Sequence, residues 1–516
     1  MVYLAIAVPV CLFFVWNDDV NSMEGIIALG ARHMLESGEW IVPKLYGEVY
    51  AFKPALAYWL AAIPEALLGY QTELSLRLPT ALCGLTLGLA LCLSLGTWIT
   101  PQCGLWCALA ATTSGLFVEQ VRAATFDMPL TLGTGVAVVA VCRNLAFEKP
   151  SWRWWLLGYA GLSFGFLAKG VPAIAVYAPG LVVAGLVLGR FRDLLRPAHL
   201  TGVGLFTAIV LVYVYLAYRA EGRSAFVDPL TELAFRSHGL SLLGTVERIV
   251  RPVVIFVAFL PFSLILVVER RVPGRGRLPA PAPQIGRAAW AFLLAGIGVF
   301  LLVSDCETRY YLPLVVPTAI LCGLAAESLS SRPSGPPADE RSASDSRQAR
   351  DRRLRWLAGP GVPVVLLGIA LVYWGVYAGV VQPRRIAKRS ERRVAEAFAP
   401  YLPESVTVYL DAGDSGSSLC YYLNRPVRAW DLSDDSPSAP SYFILSDDQA
   451  GSTQKRSDTH YTPVARARGP GRSVYHLVVL QQRIPPVTTA PASPPSNDRH
   501  ERESGDAART PRGKDR

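Results

Sequence analysis

Long apolar runs dominate the chain, and short polar segments separate them. Most of these runs approach the roughly 20 residues that a helix needs to cross the hydrocarbon layer of a membrane. The pattern therefore predicts about eleven membrane-spanning helices. A further run at 55–70 contains Pro64 and Glu65, and it predicts a re-entrant or interfacial helix. The predicted spans are residues 1–16, 78–100, 105–121, 128–147, 154–168, 171–188, 200–218, 253–268, 288–303, 310–326 and 362–381.

The composition agrees with this pattern. Of 516 residues, 51% are hydrophobic and 17% are charged, and the mean hydropathy is +0.31. Soluble domains carry roughly 25% charged residues. Residues 1–16 lack the basic start and the small-residue cleavage site of a signal peptide, so we interpret them as a span. The predicted fold class is a polytopic α-helical membrane protein.

The net charge of +10 is concentrated in a few loops, which indicates an orientation and not a nucleic-acid partner. Lys and Arg favour the cytoplasmic side of short loops. The basic loops 143–153, 190–196, 270–287 and 332–355 all lie on one side if the chain starts in the cytoplasm. We therefore expect a multi-pass protein of the cell inner (plasma) membrane with a cytoplasmic N-terminus. The external segments are then 17–77, 122–127, 169–170, 219–251, 304–309 and the chain after 382.

Changes in composition predict the domain boundaries. Residues 1–381 form a transmembrane domain whose first loop, 17–77, is external. Within it, the Ser-, Pro- and Arg-rich segment 330–355 is expected to be a disordered cytoplasmic linker. Residues 382–482 are expected to form a small external α/β domain. The polar, Pro-rich residues 483–516 are expected to be a disordered tail.

Short periodic segments support the α/β assignment. Residues 385–398 predict a basic amphipathic helix, and 417–424 predict a second helix. Four segments rich in β-branched and aromatic residues predict strands. They are VTVYLD, PVRAW, SYFILSD and VYHLVVL.

The first external loop is rich in chemically active residues. Residues 24–35 have apolar positions at helical spacing and predict a helix along the membrane surface. Asp18, Asp19 and Glu24 cluster just outside the first span. These carboxylates could act as a general base or bind a divalent cation, and the alternative is an ordinary solvated loop. Lys53 precedes the apolar run 55–70, where its ammonium could meet a lipid phosphate or simply extend to the interface.

The later external segments add one or two ionisable groups each. Asp127 begins a span, where an acid can cap a helix, and Arg122 could pair with it. Lys169 lies between two spans, and an ionisable group at membrane depth indicates a functional site.

Two further external loops carry basic and aromatic residues. Arg236 suits phosphate binding, and His238 suits proton transfer or metal binding. Arg309 and Tyr310 start the tenth predicted span. No group of residues has the spacing of a metal site, so no cofactor is assigned, and a divalent cation stays open as an alternative.

This set of groups fits sugar transfer from a lipid phosphate. The leaving phosphate is already a stable anion, and cations stabilise the charge that develops on it. A carboxylate is needed to take the proton of an acceptor hydroxyl. The site must lie at the membrane surface because the donor is embedded there.

Several segments resemble the type C family of membrane glycosyltransferases. Within that family the chain is similar to the bacterial 4-amino-4-deoxyarabinose lipid A transferases and the protein O-mannosyltransferases. The similar segments run in order over residues 17–325, and LDAGDSGSSLCYYLNRPV is similar to the family's external domain. These segments are ARHMLESGEWIVPKLYGEVYAFKPALAYWL, LSLRLPTALCGL, FDMPLTL, LAKGVPAIAV and RYYLPLVVP.

The resemblance implies a polyprenyl-phosphate sugar donor and inversion at the anomeric carbon. It implies that Glu24 is the second acid of the family's Asp-Glu pair and that Asp127 is the second-loop Asp. Lys53 matches the Lys of Glu-Lys-Pro, and Lys169 matches that of Thr-Lys-Gly. Arg309 and Tyr310 match the late basic-aromatic pair.

Two positions depart from the family pattern. Met23 stands where the family has its first-loop Asp, and Phe52 stands where it has Glu. Asp18 or Asp19 could replace the missing acid, or Glu24 could act alone. We therefore predict Glu24, Asp19 and Asp127 as catalytic residues, with Asp18, His238 and Tyr310 as further site residues. Lys53, Lys169, Arg309 and Arg236 are predicted to bind the donor phosphate.

The predicted function is transfer of a sugar to an acceptor hydroxyl or phosphate at the external face. A lipid A-like glycolipid, a protein or a polymer would serve as the acceptor. One alternative is a transporter or flippase for lipid-linked sugars, which predicts inverted repeats or spans broken near the midplane. A protein that binds the sugar lipid without turnover is the other alternative.

Overall fold

The computed structural model describes most of the transmembrane part and the core of the C-terminal domain. The predicted linker from 331 onward and the predicted tail lie outside the described residues, so both remain predictions. The described residues are 1–13, 15–16, 18–227, 242–271, 278–303, 306–330, 361–388, 390–403, 405–410, 416–429, 441–446, 461–469 and 473–480.

Helices make up most of the described residues up to position 387. Each of the eleven predicted apolar runs coincides with one helix or with two consecutive helices. In chain order, the first ten helices are α1 (Val2–Leu12), α2 (Ser22–Ser37), α3 (Leu56–Leu68), α4 (Glu73–Trp98), α5 (Pro101–Thr112), α6 (Gly115–Val121), α7 (Asp127–Ala146), α8 (Trp152–Lys169), α9 (Pro172–Val187) and α10 (Pro197–Glu221). The later helices are α11 (Leu242–Ala258), α12 (Ile265–Arg271), α13 (Ala282–Leu302), α14 (Val315–Ser330), α15 (Gly361–Val376), α16 (Gln382–Ala387), α17 (Arg392–Phe398) and α18 (Ser417–Leu423).

The predicted count of about eleven spans is not confirmed by helix length. Among the described residues, six helices are long and apolar enough to cross a membrane. One further pair, Val250–Ala258 and Phe262–Arg270, passes only when taken together and is bent by 113°. The sequence predicts a single span at 253–268, and the structure breaks it there. The six long helices are Glu73–Trp98, Asp127–Ala146, Pro197–Glu221, Ala282–Leu302, Thr308–Ser330 and Gly361–Ala387.

Glycines allow a close contact between two helices of the bundle. Helices α7 and α8 pack through Gly133, Gly161 and Gly165. A Cβ at Gly133 would lie 2.4 Å from both the carbonyl oxygen of Gly161 and the amide nitrogen of Gly165. Small residues let membrane helices approach in this way. The contact fixes the start of α7 beside the end of α8.

The first external loop is an ordered unit of two helices and a hairpin. Asn21 begins α2 with a capping box, in which its side chain accepts from the Glu24 amide and Glu24 accepts from the Asn21 amide. This confirms the predicted helix at residues 24–35, while its position along the membrane surface stays a prediction. Strands β1 (Lys44–Leu45) and β2 (Glu48–Val49) pair antiparallel, with Tyr46 and Gly47 at positive φ in the turn. The apolar run 55–70 forms the short helix α3 and not a long span, as predicted.

The C-terminal region contains a five-stranded mixed sheet. The strands are β3 (Val408–Leu410), β4 (Val427–Ala429), β5 (Ser441–Ser446), β6 (Tyr461–Arg468) and β7 (Val474–Leu480), in the spatial order β4-β3-β5-β7-β6. Strand β3 pairs parallel with β4 and β5, and β7 pairs antiparallel with β5 and β6.

Four predicted strands and the helix near 417 are confirmed, whereas β6 was not predicted. Strand β6 lies at a sheet edge and is irregular between Pro463 and Ala465. An edge strand tolerates such a proline because the missing N–H is not needed by a second neighbour. The predicted basic helix at 385–398 is also different, since the structure divides it into α16 and α17.

Candidate functional site

A largely apolar cavity of about 520 Å³ opens beside the segment before α3, the end of α8, the start of α9 and the segment after α13. This volume is within the range of ordinary small-molecule pockets. Aliphatic and aromatic side chains form most of its wall, including Phe166, Val299 and Phe300. Lys53 and Lys169 are the charged residues of the described lining, and Tyr310 adds a polar phenol. A long apolar wall with cations in one region suits an amphiphile with an anionic group.

Lys169 and Asp127 form a buried ion pair in this region. Lys169 is the last residue of α8 and Asp127 is the first residue of α7, so the packing of these helices brings the two side chains together. The Lys169 ammonium contacts Oδ1 of Asp127, and the residues are only 7% and 2% exposed. The ammonium also lies 4.1 Å from the ring centroid of Tyr310, a distance typical of a cation–π contact.

Two more cations surround this pair. The Arg309 guanidinium lies 5.6 Å from the Tyr310 ring and 2.7 Å from Oε1 of Glu307. The charges of Lys53 and Arg309 are close enough to act on the Lys169 ammonium, and that of Asp127 acts on Arg309. The structure therefore brings together five residues from four separate segments of the sequence, namely Lys53, Asp127, Lys169, Arg309 and Tyr310.

The suggested pairing of Arg122 with Asp127 is wrong. Arg122 is fully buried and donates to the side-chain oxygen of Gln382 at 3.1 Å and to the carbonyl of Phe13. It therefore joins the end of α6 to the chain after α1 and to α16. Neighbourhood in sequence suggested the pair, but tertiary packing turns the guanidinium away from Asp127.

Glu24 lies in a second buried cluster, with Arg77 of α4 as its partner. Nε and Nη2 of Arg77 donate to the two carboxylate oxygens of Glu24 at 2.6 and 2.8 Å. Arg77 also donates to the carbonyls of Val15, Asp18 and Asp19 at 2.7 to 2.9 Å. Sequence reasoning did not identify Arg77, although an arginine inside the apolar segment LSLRLPT was the available signal.

The remaining carboxylates of the first loop have different surroundings. Asp19 is partly exposed, and its Oδ1 lies 3.2 Å from Nη1 of Arg392 in α17. Asp18 is 3% exposed, and neither of its carboxylate oxygens has a hydrogen-bond partner among the described residues. Burial raises the pKa of Asp18 to about 6, although Arg77 and Arg122 lower it. Asp18 is thus a buried acid in a poorly solvated position.

Some predicted site residues are not located by the structure. Arg236 and His238 belong to the segment 228–241, which lies outside the described residues. Within the described part of the chain, no group of three or more His, Cys, Asp and Glu side chains is arranged to hold a metal ion. Of the three first-loop acids, Glu24 and Asp19 contact different arginines, Arg77 and Arg392.

Comparison with known proteins shows which sugar transferases this chain is similar to. The sequence profile of the dolichyl-phosphate-mannose-protein mannosyltransferase family matches residues 52–218. An undecaprenyl phosphate-α-4-amino-4-deoxy-L-arabinose arabinosyl transferase of Pseudomonas aeruginosa is 28% identical over 329 residues. That match covers 62% of this chain and 57% of the relative. A Pseudomonas paraeruginosa protein of the same description is 28% identical over 346 residues, covering 64% of this chain and 60% of the relative.

Solved structures give the fold. The crystal structure of ArnT from Cupriavidus metallidurans bound to undecaprenyl phosphate has a TM-score of 0.70 at 18% identity. Its apo structure has a TM-score of 0.71 at 19% identity, and each covers 92% of this chain and 97% of the solved chain. The chain therefore has the fold of the type C membrane glycosyltransferases. Among the solved structures of this fold it resembles ArnT of Cupriavidus metallidurans.

Proposed function

We propose that this protein transfers a sugar from a polyprenyl-phosphate donor to an acceptor at the external face of the membrane. The observation that carries the proposal is the buried Lys169–Asp127 pair, with Lys53 and Arg309 around it, at an apolar cavity. The relatives named above act on, or are bound to, undecaprenyl phosphate compounds, which supports a donor of this class.

The donor phosphate is proposed to bind Lys53, Lys169 and Arg309, with the prenyl chain along the apolar wall of the cavity. A sugar-linked phosphodiester carries one negative charge, and the released phosphate monoester carries up to two. The three cations therefore interact more strongly with the leaving group than with the bound donor. An interaction that becomes stronger as the phosphate leaves lowers the activation barrier of the transfer.

Asp127 is the proposed general base. Lys169 neutralises its carboxylate in the structure. A donor phosphate competes for the same ammonium, and the carboxylate is released to accept a proton. The acceptor oxygen then bonds to the anomeric carbon as its proton moves to Asp127. The bond from that carbon to the phosphate oxygen breaks, and the electron pair stays on the phosphate. Displacement from the opposite face inverts the anomeric centre.

Catalytic roles for Glu24 and Asp19 remain predictions. The bidentate contact with Arg77 suits Glu24 for holding the first loop in place. The contact with Arg392 suits Asp19 for the same structural role. A hydroxyl or phosphate of a lipid A-like glycolipid, a protein or a polymer is proposed as the acceptor. We also propose that the protein lies in the inner membrane with its N-terminus in the cytoplasm and its C-terminal domain outside.

The test is consumption of labelled donor by the purified full chain in nanodiscs. A panel of radiolabelled undecaprenyl-phosphate sugars is supplied, with a membrane lipid extract as the acceptor source. Wild type is compared with Asp127→Asn and Lys53→Gln, and with Glu119→Gln and Lys149→Gln as charge-matched controls. We expect wild type and both controls to release undecaprenyl phosphate, whereas Asp127→Asn does not.

Two results would overturn the proposal. Binding of the donors without cleavage by wild type would indicate a protein that only holds the sugar lipid. Movement of intact donor across the bilayer would indicate transport.

A further inference from the structure

We infer that Arg392 and Tyr422 are positioning residues. Through them the C-terminal domain holds the first external loop, and through that loop it fixes the position of Asp127. This inference rests on the proposed function, in which Asp127 receives the acceptor proton.

The first step is the contact between the C-terminal domain and the segment 19–25, which we call the acid segment. Tyr422 accepts a hydrogen bond from the Val20 amide at 2.6 Å. The hydroxyl of Ser417 donates to the Ser22 carbonyl at 2.6 Å. Nη1 of Arg392 binds Oδ1 of Asp19 at 3.2 Å. Three successive stretches of the acid segment are thus held by α17 and α18.

The fit at this contact is tight. A Cβ on Gly25 would lie 2.5 Å from the carbonyl carbon of Ser417, which is closer than real Cβ contacts allow. The backbones of α2 and α18 therefore touch directly. Tyr421 of α18 is also part of the buried apolar cluster that includes Ile27 and Ala28 of α2.

Contacts within the C-terminal domain hold Arg392 and α18 in place. Glu391 is 4% exposed and accepts hydrogen bonds from the Ser418 hydroxyl at 2.7 Å and the Leu419 amide at 3.1 Å. It also accepts from the Tyr475 hydroxyl in β7 at 2.5 Å. Because Glu391 precedes Arg392, the sheet, α17 and α18 act as one body against the acid segment.

The second step is the opposite side of the acid segment, where Arg77 binds. Its guanidinium contacts the carbonyls of Asp18 and Asp19 and both oxygens of Glu24. The segment is consequently held between a rigid membrane helix and the C-terminal domain.

The third step connects the acid segment to the site. Oε1 of Glu24 accepts a hydrogen bond from the Ala124 amide at 2.9 Å. Ala124 lies three residues before Asp127, at the turn that starts α7. Movement of the acid segment therefore moves the Glu24 carboxylate, then the Ala124 backbone, and then the start of α7.

The hairpin of the first loop provides an independent attachment. The Ala429 amide of β4 donates to the carbonyl of Tyr46 at 3.2 Å. This bond and the Gly25–Ser417 contact remain when Arg392 or Tyr422 is changed. Single variants at those two positions should consequently stay folded with the C-terminal domain in place.

The experiment uses the full chain in nanodiscs and compares Arg392→Gln and Tyr422→Phe with wild type. Arg393→Gln and Tyr401→Phe are matched controls, because both side chains are exposed in the same domain. We expect kcat for donor cleavage to fall about tenfold or more in the two test variants, since small displacements of catalytic groups are costly. The affinity for undecaprenyl phosphate should be unchanged, because the cations that bind it are elsewhere. Arg392→Lys should restore most of the activity.

Hydrogen–deuterium exchange provides a readout other than activity. The amides of the acid segment and of residues 122–126 should exchange faster in Arg392→Gln and Tyr422→Phe, but not in the controls. Equal kcat and equal exchange in all five proteins would overturn the inference. Absence of turnover in wild type with every donor would overturn the proposed function instead, and the exchange data would still decide whether the domain holds the loop.

Discussion

The ammonium of Lys169 contacts the carboxylate of Asp127 at the point where α8 ends and α7 begins. Both groups are nearly inaccessible to water, although Lys169 lines the cavity. A buried ion pair adds little net stability because each ion loses its hydration, whereas removal of one partner is costly. Such a pair is suited to being rearranged by a ligand that supplies a new anion.

The first prediction separates stability from function in this pair. Lys169→Met leaves the Asp127 carboxylate buried without its cation, and we expect a loss of about 3–5 kcal/mol and a lower Tm. The double variant Asp127→Leu/Lys169→Met should recover most of this stability, yet remain inactive. Thermal unfolding and donor cleavage are measured on Asp127→Leu, Lys169→Met and the double variant, which together form a double-mutant cycle. Additive stability losses would show that the two residues do not interact.

The second prediction concerns Glu24. In Glu24→Gln the Arg77 guanidinium loses its counter-charge in a site where it is 1% exposed. We expect a clear fall in Tm, corresponding to about 3–5 kcal/mol. Glu36→Gln, on the exposed side of the same helix, serves as the control and should be neutral. If Glu24→Gln instead kept its Tm and lost turnover, Glu24 would be catalytic.

Much of the helix bundle could be predicted from the sequence, because neighbouring residues determine where each helix forms. Apolar runs gave the helices, and alternation of loops placed Asp127 and Lys169 on the same side. The capping residues Asn21 and Thr72 mark the starts of α2 and α4 by hydrogen bonds that span only three residues. The strand β6 was missed because Pro463 and the arginines around it obscure the alternation expected of a strand.

The site was only partly predictable, since its partners come from distant parts of the chain. Arg77 and Glu24 are 53 positions apart, and nothing local to either residue specifies the other. Asp19 and Arg392 are 373 positions apart. For Asp127 the nearest basic residue in sequence was the wrong partner, because helix packing determines which side chain reaches it.

The third prediction uses the closest backbone contact of the first loop. Gly25→Ala introduces a methyl group 2.5 Å from the Ser417 carbonyl carbon. Neither backbone can move easily, so we expect a loss of about 1–3 kcal/mol from overpacking. Gly204→Ala is the control, because nothing lies within 4 Å of its added Cβ. Thermal unfolding of both variants makes the comparison, and equal Tm values would mean that α18 can shift away freely.

The fourth prediction concerns pH and Asp18. The pKa of this carboxyl is about 6 in the folded protein and 3.8 without the protein environment, because burial disfavours its charged form. The folded state therefore holds the proton more tightly than the unfolded state. The stability that the protonated Asp18 carboxyl contributes is fully present below pH 4 and is lost as the pH rises through 6.

Asp18→Asn should remove this pH-dependent loss of stability, because the amide does not ionise. At pH 7.5 the variant should be more stable than wild type by on the order of 1–3 kcal/mol, and the difference should shrink as the pH falls toward 4. Asp19→Asn is the matched control and should change stability little, because its ion pair with Arg392 is partly exposed. Thermal unfolding of the three proteins between pH 4 and 7.5 tests this. A wild type and an Asp18→Asn variant with parallel pH profiles would show that the Asp18 carboxyl is solvated in the folded protein.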